Sequence, residues 1–561
     1  MEVLKKEIPT IWTTGWTDIM NTGTWRSAMP IYQKRKSPCQ DICPVNGEIP
    51  TWLQNLKSEN LEEAWLEIVA KNPFPAVTGR VCHHPCESKC NRKEYDGEVG
   101  INSLEQFLGD LAIEKGWSLP KPSQEMEERV AVIGGGPAGL SCAYQLRKAG
   151  YQVTIFEEQP ELGGLLRFAI PEYRLPKAVL AKELERLLEL GFNVELNRKI
   201  ITKEDFEQLR REYSAVFVAV GAYKAKSLPQ LENTAMKVWF CLDFLAQVKK
   251  GEKPDIGRKV VVIGGGNAAI DSARTALRLG AKVKVLSLED RADLPAINTE
   301  VVDGEREGII YYHGAMVTGV EPIGTDSYML KCVKVVFKPS DTDRFPKTVV
   351  LKDTEFELQA DSVILAIGQE PDTTPFPSEL VSAVGLLGSG LMENQGLFVG
   401  GDSSSLNRYV SAAIADGKNQ ASKIIEYMKG NKGASEGNQN EQVNQTVDSE
   451  PVKFSEVNTF YFPIMPKVNR EIRSESNSLS GFAEIKAGLS QAEAIQESSR
   501  CFSCGHCISC NNCFYFCPDQ AVVKNSDLCG EYHILEQYCK GCGLCVEECP
   551  RGAVTLKEEA R

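Results

Sequence analysis

The sequence predicts an α/β protein: two Rossmann-like dinucleotide-binding domains, preceded by a helical iron–sulfur domain and followed by an α+β ferredoxin domain. Three observations carry this. Val132 to Leu140 reads VIGGGPAGL, and the same device returns at Val260 to Ile270 as VVVIGGGNAAI. Of the 19 cysteines, five fall within 39–90 and eleven within 501–549. With 561 residues there is room for roughly three or four domains. The net charge of −13 disfavours a nucleic-acid partner, because a polyanion is repelled. No run of about 18 apolar residues is present, so no membrane span is expected. The opening MEVLKKEIPTIWTTGW lacks an export-signal core, and the expected location is cytoplasmic.

The helical iron–sulfur domain is expected over residues 1–125. Its first 30 residues carry Trp and Thr without a clear period and receive no element. Cys39-x3-Cys43-Pro follows, then one helical stretch from roughly Pro50 to Ala70, striped by Leu53, Leu56, Leu61, Trp65 and Ile68. Cys82, Cys86 and Cys90 come next. Thiolates at four-residue spacing can converge on an iron–sulfur cluster. Zinc is the rival, with His83 and His84 nearby.

The first glycine turn opens the domain expected over 126–254 and 365–428. Gly134 makes the tight turn, Gly136 lets backbone N–H groups approach a pyrophosphate, and Gly139 lets helix and strand pack closely. Pro137 and Ala138 begin that helix. Glu157 stands eighteen residues past Gly139, where a ribose hydroxyl would sit. The second turn, Gly264-Gly265-Gly266 with Asn267 and Ala268, opens a nicotinamide domain expected over 255–364. Glu289 stands twenty residues past Ala269, the place of a ribose-binding acid. A carboxylate there accepts hydrogen bonds from the ribose diol and repels a 2′-phosphate, which favours NADH. Arg291, two residues on, keeps NADPH open. Two such sites suggest a flavoprotein exchanging electrons with a nicotinamide; the bland alternative is two glycine turns without a ligand. No Cys-x2-Cys lies in 126–450, so thiol–disulfide chemistry at the flavin is disfavoured.

Residues 429–452 read as a flexible linker. As a random coil of about 22 residues it would span roughly 25 Å, which lets the next domain move; a tethered connection is the alternative. Within the C-terminal segment 453–561, the ferredoxin domain is expected from about 499. Cys507-x2-Cys510-x2-Cys513-x3-Cys517-Pro and Cys539-x2-Cys542-x2-Cys545-x3-Cys549-Pro have two-cluster ferredoxin spacing. In that pattern the fourth cysteine of each run ligates the other cluster. One [4Fe–4S] cluster takes Cys507, Cys510, Cys513 and Cys549; the other takes Cys539, Cys542, Cys545 and Cys517. Cys501, Cys504 and Cys529 are left over.

The motifs CPVNGEIP, NPFPAVTGRVCHHPCE, GGLLRFAIPEYRLPK, VVVIGGGNAAIDSARTALRLGA and GLFVGGD, taken in order, resemble the small subunit of glutamate synthase. They are also similar to the flavin modules of dihydropyrimidine dehydrogenase and of NADH-dependent ferredoxin:NADP oxidoreductase. The resemblance covers roughly 35–428 and implies a disulfide-reductase-like FAD/NAD(P) fold. It implies that Gly164, Leu165 and Arg167 belong to a loop over the flavin, and that Gly401 and Asp402 bind its ribityl or pyrophosphate region. Val410 would open a helix aimed at the flavin N1–C2=O edge, and Gly368 would line the gap between nicotinamide and isoalloxazine. NADPH-using relatives carry Tyr-Arg-Arg where this chain has Ser287-Leu288-Glu289, which again favours NADH. One N-terminal cluster would take Cys43, Cys82, Cys86 and Glu105, although Glu105 also reads as an ordinary helix carboxylate. The other would keep only Cys39 and Cys90. The expectation is therefore one N-terminal cluster, with Cys39 and Cys90 as neighbouring free thiols or a disulfide. Three clusters give about twelve irons.

Hydride passes directly between nicotinamide and flavin, so no catalytic side chain is named. The expected function is an NADH:acceptor oxidoreductase, moving electrons between NAD(H), FAD and clusters to or from a ferredoxin-like carrier or a partner redox enzyme. The fused ferredoxin is similar to DsrL-type iron–sulfur flavoproteins that serve dissimilatory sulfite reductase, and equally to flavin subunits of 2-oxoacid:acceptor oxidoreductases. An NADPH-dependent glutamate synthase small subunit and a non-catalytic scaffold are the rivals. The direction of electron flow and a homodimeric state stay open.

Overall fold

Each glycine-turn strand sits at the centre of a five-stranded parallel sheet in the computed structural model. The structure describes residues 22, 26–232, 234–338, 347–382, 386–388, 390–431, 450–472, 481–524 and 532–559. The first sheet runs Leu397–Val399, Ala215–Val218, Arg129–Ile133, Gln152–Phe156, Asn193–Glu195. Four of the five residues in Arg129–Ile133 are buried, as helices on both faces require. The helices Pro137–Lys148 and Val410–Asn431 share its principal core.

The second sheet runs Ile310–Tyr312, Lys282–Leu286, Lys259–Ile263, Ser362–Leu365, Lys237–Phe240. Lys237–Phe240 thus pairs in parallel with Ser362–Leu365, although the sequence reading placed it in the flavin domain. The chain crosses before residue 237 rather than at 255, because the helix Cys241–Lys249 serves as the crossover back to Lys259–Ile263. An antiparallel sheet of Ala315–Pro322, Tyr328–Lys338, Lys347–Val350 and Phe356–Ala360 flanks it.

The stretch expected as one helix is two, Ile49–Lys57 and Leu61–Val69. Glu59 takes φ 61° and Asn60 N–H returns to Asn55 O at 2.9 Å, a left-handed end that stops the first helix. Two glycines let the helices Pro75–Val81 and Ile101–Lys115 nearly touch. A Cβ on Gly79 would lie 2.3 Å from Gln106 N, and one on Gly109 would lie 2.2 Å from Ala76 N. That crossing sets Glu105 beside Cys82.

Of the expected linker, 432–449 lies outside the described residues, as do Cys529 and residues 1–21. From 450 onward the chain is packed against the rest of the molecule. Arg35 pairs with Glu456 at 2.7 Å, Lys467 with Glu98 at 2.7 Å, Arg80 with Glu484 at 2.7 Å and Lys486 with Asp303 at 3.2 Å. The strand Ala28–Tyr32 pairs antiparallel with Val554–Glu558, so the two ends of the chain share a sheet. Among the described residues, no helix is long and apolar enough to cross a membrane.

Candidate redox site

A cavity of about 320 Å³ opens between the two parallel sheets. Gly134, Gly136, Pro137, Ala138, Glu157, Gly164 and Leu165 line it from the first sheet, Asn267 and Ala268 from the second, and Asp402 and Val410 from the C-terminal end of the flavin domain. The turn fits a dinucleotide. Gly136 caps the helix Pro137–Lys148, and a Cβ there would reach only Gly164 Cα, at 3.9 Å, so the backbone is bare toward the cavity. Glu157 is held by Gly135 N–H, donating to Oε2 at 2.7 Å, and by Gln159 N–H, donating to Oε1 at 2.8 Å. Burial raises its carboxyl, and these two donors oppose the rise. Burial pushes Asp402 up to about 6, with Arg408 opposing.

Other expected residues serve the cradle without lining it. A Cβ on Gly139 would lie 1.9 Å from Gly134 O, so this glycine permits the strand–helix contact. Arg167 donates to Leu162 O at 3.2 Å and closes the Gly163–Gly164 loop. Gly401 takes φ 71° and donates to Asp416 at 2.6 Å; Gly368 takes φ 105° beside the lining residue Gln369.

The second turn repeats the first. Gly266 caps the helix Asn267–Arg278, and a Cβ there meets nothing within 4 Å. A Cβ on Gly265 would lie 2.5 Å from Glu289 Oε2; its counterpart on Gly135 would lie 3.0 Å from Glu157 Oε2. Glu289 therefore holds the place in the second motif that Glu157 holds in the first. Gly264, at φ 141°, packs on Ala366 O. Arg291 is engaged elsewhere, with Glu305 at 3.1 Å and Asn298 at 2.9 Å.

The cluster domain meets the cavity through Val81, which lines it and precedes Cys82. Cys82 has Glu105, Cys43 and Ser411 as neighbours, and burial pushes its thiol up to about 12. Cys86 has Cys82, Cys43 and Cys39 around it. Glu105 accepts from Asn72 and Thr78, each at 2.9 Å and both at Oε1. Burial raises it to about 7, against these two donors. Three thiols and one fixed carboxylate fit a cluster, and Glu105 is no ordinary solvated helix acid. Cys39 and Cys90 form no disulfide, and they do not stand as an isolated pair: Cys501 and Cys504 lie with them. In the ferredoxin domain, Cys513 has Cys510, Cys507 and Cys549 as neighbours, and Cys545 has Cys517, Cys513, Cys539 and Cys542. Among the described residues, no three His, Cys, Asp or Glu side chains close around a single metal ion. Cluster thiolates bind different irons and stand farther apart than ligands of one ion.

Residues the sequence did not single out complete the site. Arg408 donates to Gln369 O at 2.6 Å. Tyr409 stacks on His83 with ring centroids 4.1 Å apart, which joins the cluster domain to the flavin cavity. No spacing rule marks either residue.

Comparison with known proteins agrees with this layout. The pyridine nucleotide-disulphide oxidoreductase family matches residues 128–386, the dihydropyrimidine dehydrogenase domain II 4Fe-4S family matches 23–117, and the 4Fe-4S dicluster domain matches 506–553. The β subunit of NADP(+)-dependent formate dehydrogenase from Moorella thermoacetica is 31% identical over 83% of this chain and 70% of its own. The β subunit of NADPH-Fe(3+) oxidoreductase from Geobacter sulfurreducens is 29% identical over 84% of this chain and 75% of its own. The small chain of glutamate synthase [NADPH] from Azospirillum brasilense is 34% identical over 70% of this chain and 86% of its own. FAD, a nicotinamide nucleotide and [4Fe–4S] clusters are the cofactors these matches support. The chain belongs to the family of FAD-dependent NAD(P)H oxidoreductases built like the glutamate synthase small chain, and it carries a ferredoxin-type iron–sulfur domain at its C-terminal end.

Proposed function

We propose that the chain is an NADH:acceptor oxidoreductase that connects a nicotinamide to a chain of iron–sulfur clusters and so to a companion redox protein. One observation carries the reading. A single cavity is lined by the first glycine turn, by the second, and by Val81, the neighbour of Cys82. The bound flavin supplies hydride acceptance and one-electron release. The chain's own residues supply the rest. Gly134, Gly136 and the helix that follows hold pyrophosphate; Glu157 and Glu289 take ribose hydroxyls; Asp402 and Val410 close on the flavin. Cys43, Cys82, Cys86 and Glu105 would hold a cluster, Cys82 being next in sequence to the lining residue Val81. The two ferredoxin sets, Cys507, Cys510, Cys513 with Cys549, and Cys539, Cys542, Cys545 with Cys517, lead to the surface, where Cys510 and Cys542 are exposed.

Two of the relatives named above are called β subunits, which supports a companion subunit as partner; none of the three is named for sulfite reductase. A flavin subunit of a 2-oxoacid oxidoreductase fits the same geometry. All three are named for NADP(H), whereas Glu289 supports NADH here. A cytoplasmic setting belongs to this reading. Anaerobic reduction of a viologen dye by the purified protein tests it. NADH should support turnover faster than NADPH. Turnover with neither nucleotide would refute the oxidoreductase reading, and a faster rate with NADPH would refute the nucleotide choice.

A further inference from the structure

The two thiols left without partners in the N-terminal domain meet two left over in the C-terminal segment. Cys39 and Cys90 come from the helical domain, and Cys501 and Cys504 from the turn after the helix Gln491–Ser499. Cys39, Cys90 and Cys501 pack in one apolar cluster. Asn91, next to Cys90, donates to Cys504 Sγ at 3.4 Å across 413 residues of sequence. Cys504 in turn has Cys501 and Cys90 as neighbours.

The backbone at Cys501 is built like a cluster loop. In the ferredoxin runs, the residue two past the first cysteine is left-handed and its N–H points at that cysteine's sulfur. Ser509, at φ 54°, donates to Cys507 Sγ at 3.5 Å; Gly541, at φ 67°, donates to Cys539 Sγ at 3.4 Å. The residue after the second cysteine is again left-handed, Asn511 at φ 64° and Gly543 at φ 79°. Cys501-Phe-Ser-Cys504-Gly505 repeats all of this. Ser503, at φ 49°, donates to Cys501 Sγ at 3.3 Å, and Gly505 takes φ 76°. A serine held left-handed is uncommon unless the surroundings demand it.

We propose that Cys39, Cys90, Cys501 and Cys504 hold a fourth [4Fe–4S] cluster, shared between the two ends of the chain. The loops that carry them are clamped together: Arg92 donates to Arg500 O at 2.6 Å, and the buried Arg500 donates to Gly97 O at 2.7 Å. The place of this cluster deepens the electron-transfer reading on which it rests. Cys39 neighbours Cys86 of the flavin-side set. Arg551 is buried on the other side, donates to Cys501 O at 3.2 Å, and has Cys504, Cys510 and Cys549 around it. The cluster thus bridges the flavin-side set and the first ferredoxin set. An electron leaving the flavin-side cluster would oxidise that cluster by one, reduce the shared cluster by one, and then pass on to the first ferredoxin cluster, with no bond made or broken.

Anaerobic iron, sulfide and FAD analysis of the full chain tests this. The wild-type protein should hold about sixteen irons per FAD, against about twelve without the fourth cluster. Cys501→Ala/Cys504→Ala should lose about four irons while FAD content stays at its wild-type level. About twelve irons in the wild type, or an undiminished count in a variant that retains FAD, would overturn the proposal. The wild-type count decides even where the variant fails to fold. Absence of flavin bleaching by either nucleotide in the wild type would instead defeat the oxidoreductase reading and leave the iron count standing.

Discussion

Replacing Glu289 should change which nucleotide the protein uses. Its carboxylate sits against the second glycine turn, where a Cβ on Gly265 would lie 2.5 Å from Oε2, the same placement as Glu157 in the first turn. A ribose diol hydrogen-bonded to a carboxylate contributes about 1.5–3 kcal/mol, as hydrogen bonds to charged groups do. A 2′-phosphate loses that and meets a like charge, worth about 1 kcal/mol at 4 Å in water and more in a partly shielded cleft. At roughly 1.4 kcal/mol per factor of ten, the sum of about 2.5–4 kcal/mol means that NADH should be preferred by about fiftyfold to several hundredfold in kcat/KM. Leu288 is 39% exposed, so an arginine there disturbs no core. Leu288→Arg/Glu289→Arg should therefore move the preference toward NADPH and leave FAD and iron content unchanged. Steady-state dye reduction with both nucleotides measures the ratio. A wild-type preference for NADPH would refute the reasoning and direct attention to Arg291, freed from Glu305 and Asn298. A ratio unmoved by the double substitution would refute it equally.

Further outcomes follow from buried groups and close contacts. Glu183 is fully buried and raised to about 7 by that burial, so its folded value lies above its unfolded one. Its ionisation then opposes folding, and stability should fall by on the order of 3 kcal/mol as pH rises from about 4.3 to about 7. Glu183→Gln should flatten that slope in urea midpoints measured across the window. Glu497 and Arg500 are both fully buried and pair at 2.7 Å. Glu497→Ala should cost about 3–5 kcal/mol in chemical denaturation, because it leaves the Gly100 and Val468 N–H groups without their acceptor and takes from Arg500 one of its two carboxylates, the other being Asp96. Gly139→Val should yield protein without bound flavin, since even a Cβ would lie 1.9 Å from Gly134 O; flavin absorbance after purification reads this directly. Glu105→Ala should remove about four irons and retain FAD, measured by metal analysis.

What the sequence made legible was local. Both glycine turns, their acids Glu157 and Glu289, and the ferredoxin spacing are short-range patterns in which chemistry fixes residue type and interval. The misread helix over 50–70 was a matter of one residue. Glu59 adopts a left-handed φ that its identity does not announce, and the apolar stripe runs on across the break. The strand Lys237–Phe240 joined the second sheet because parallel pairing with Ser362–Leu365 is decided in space, 125 residues away in sequence. Cys501 and Cys504 were surplus in the sequence for the same reason. Their partners, Cys39 and Cys90, lie more than 400 residues earlier, and contacts distant in sequence bring them together: Ala28–Tyr32 on Val554–Glu558, and Arg92 on Arg500 O. Tyr409 on His83 is likewise a contact between elements with no shared motif.

The central claim is that nicotinamide electrons enter at the flavin cavity and leave through the thiolate-held clusters. Rapid mixing of NADH with the oxidised protein under anaerobic conditions, followed by the separate absorbance changes of flavin and clusters, tests it most directly. Flavin bleaching should come first and cluster bleaching should follow, and protein stripped of flavin should show neither. Cluster reduction at an unchanged rate without flavin would contradict the claim, as would a flavin that bleaches while every cluster stays oxidised.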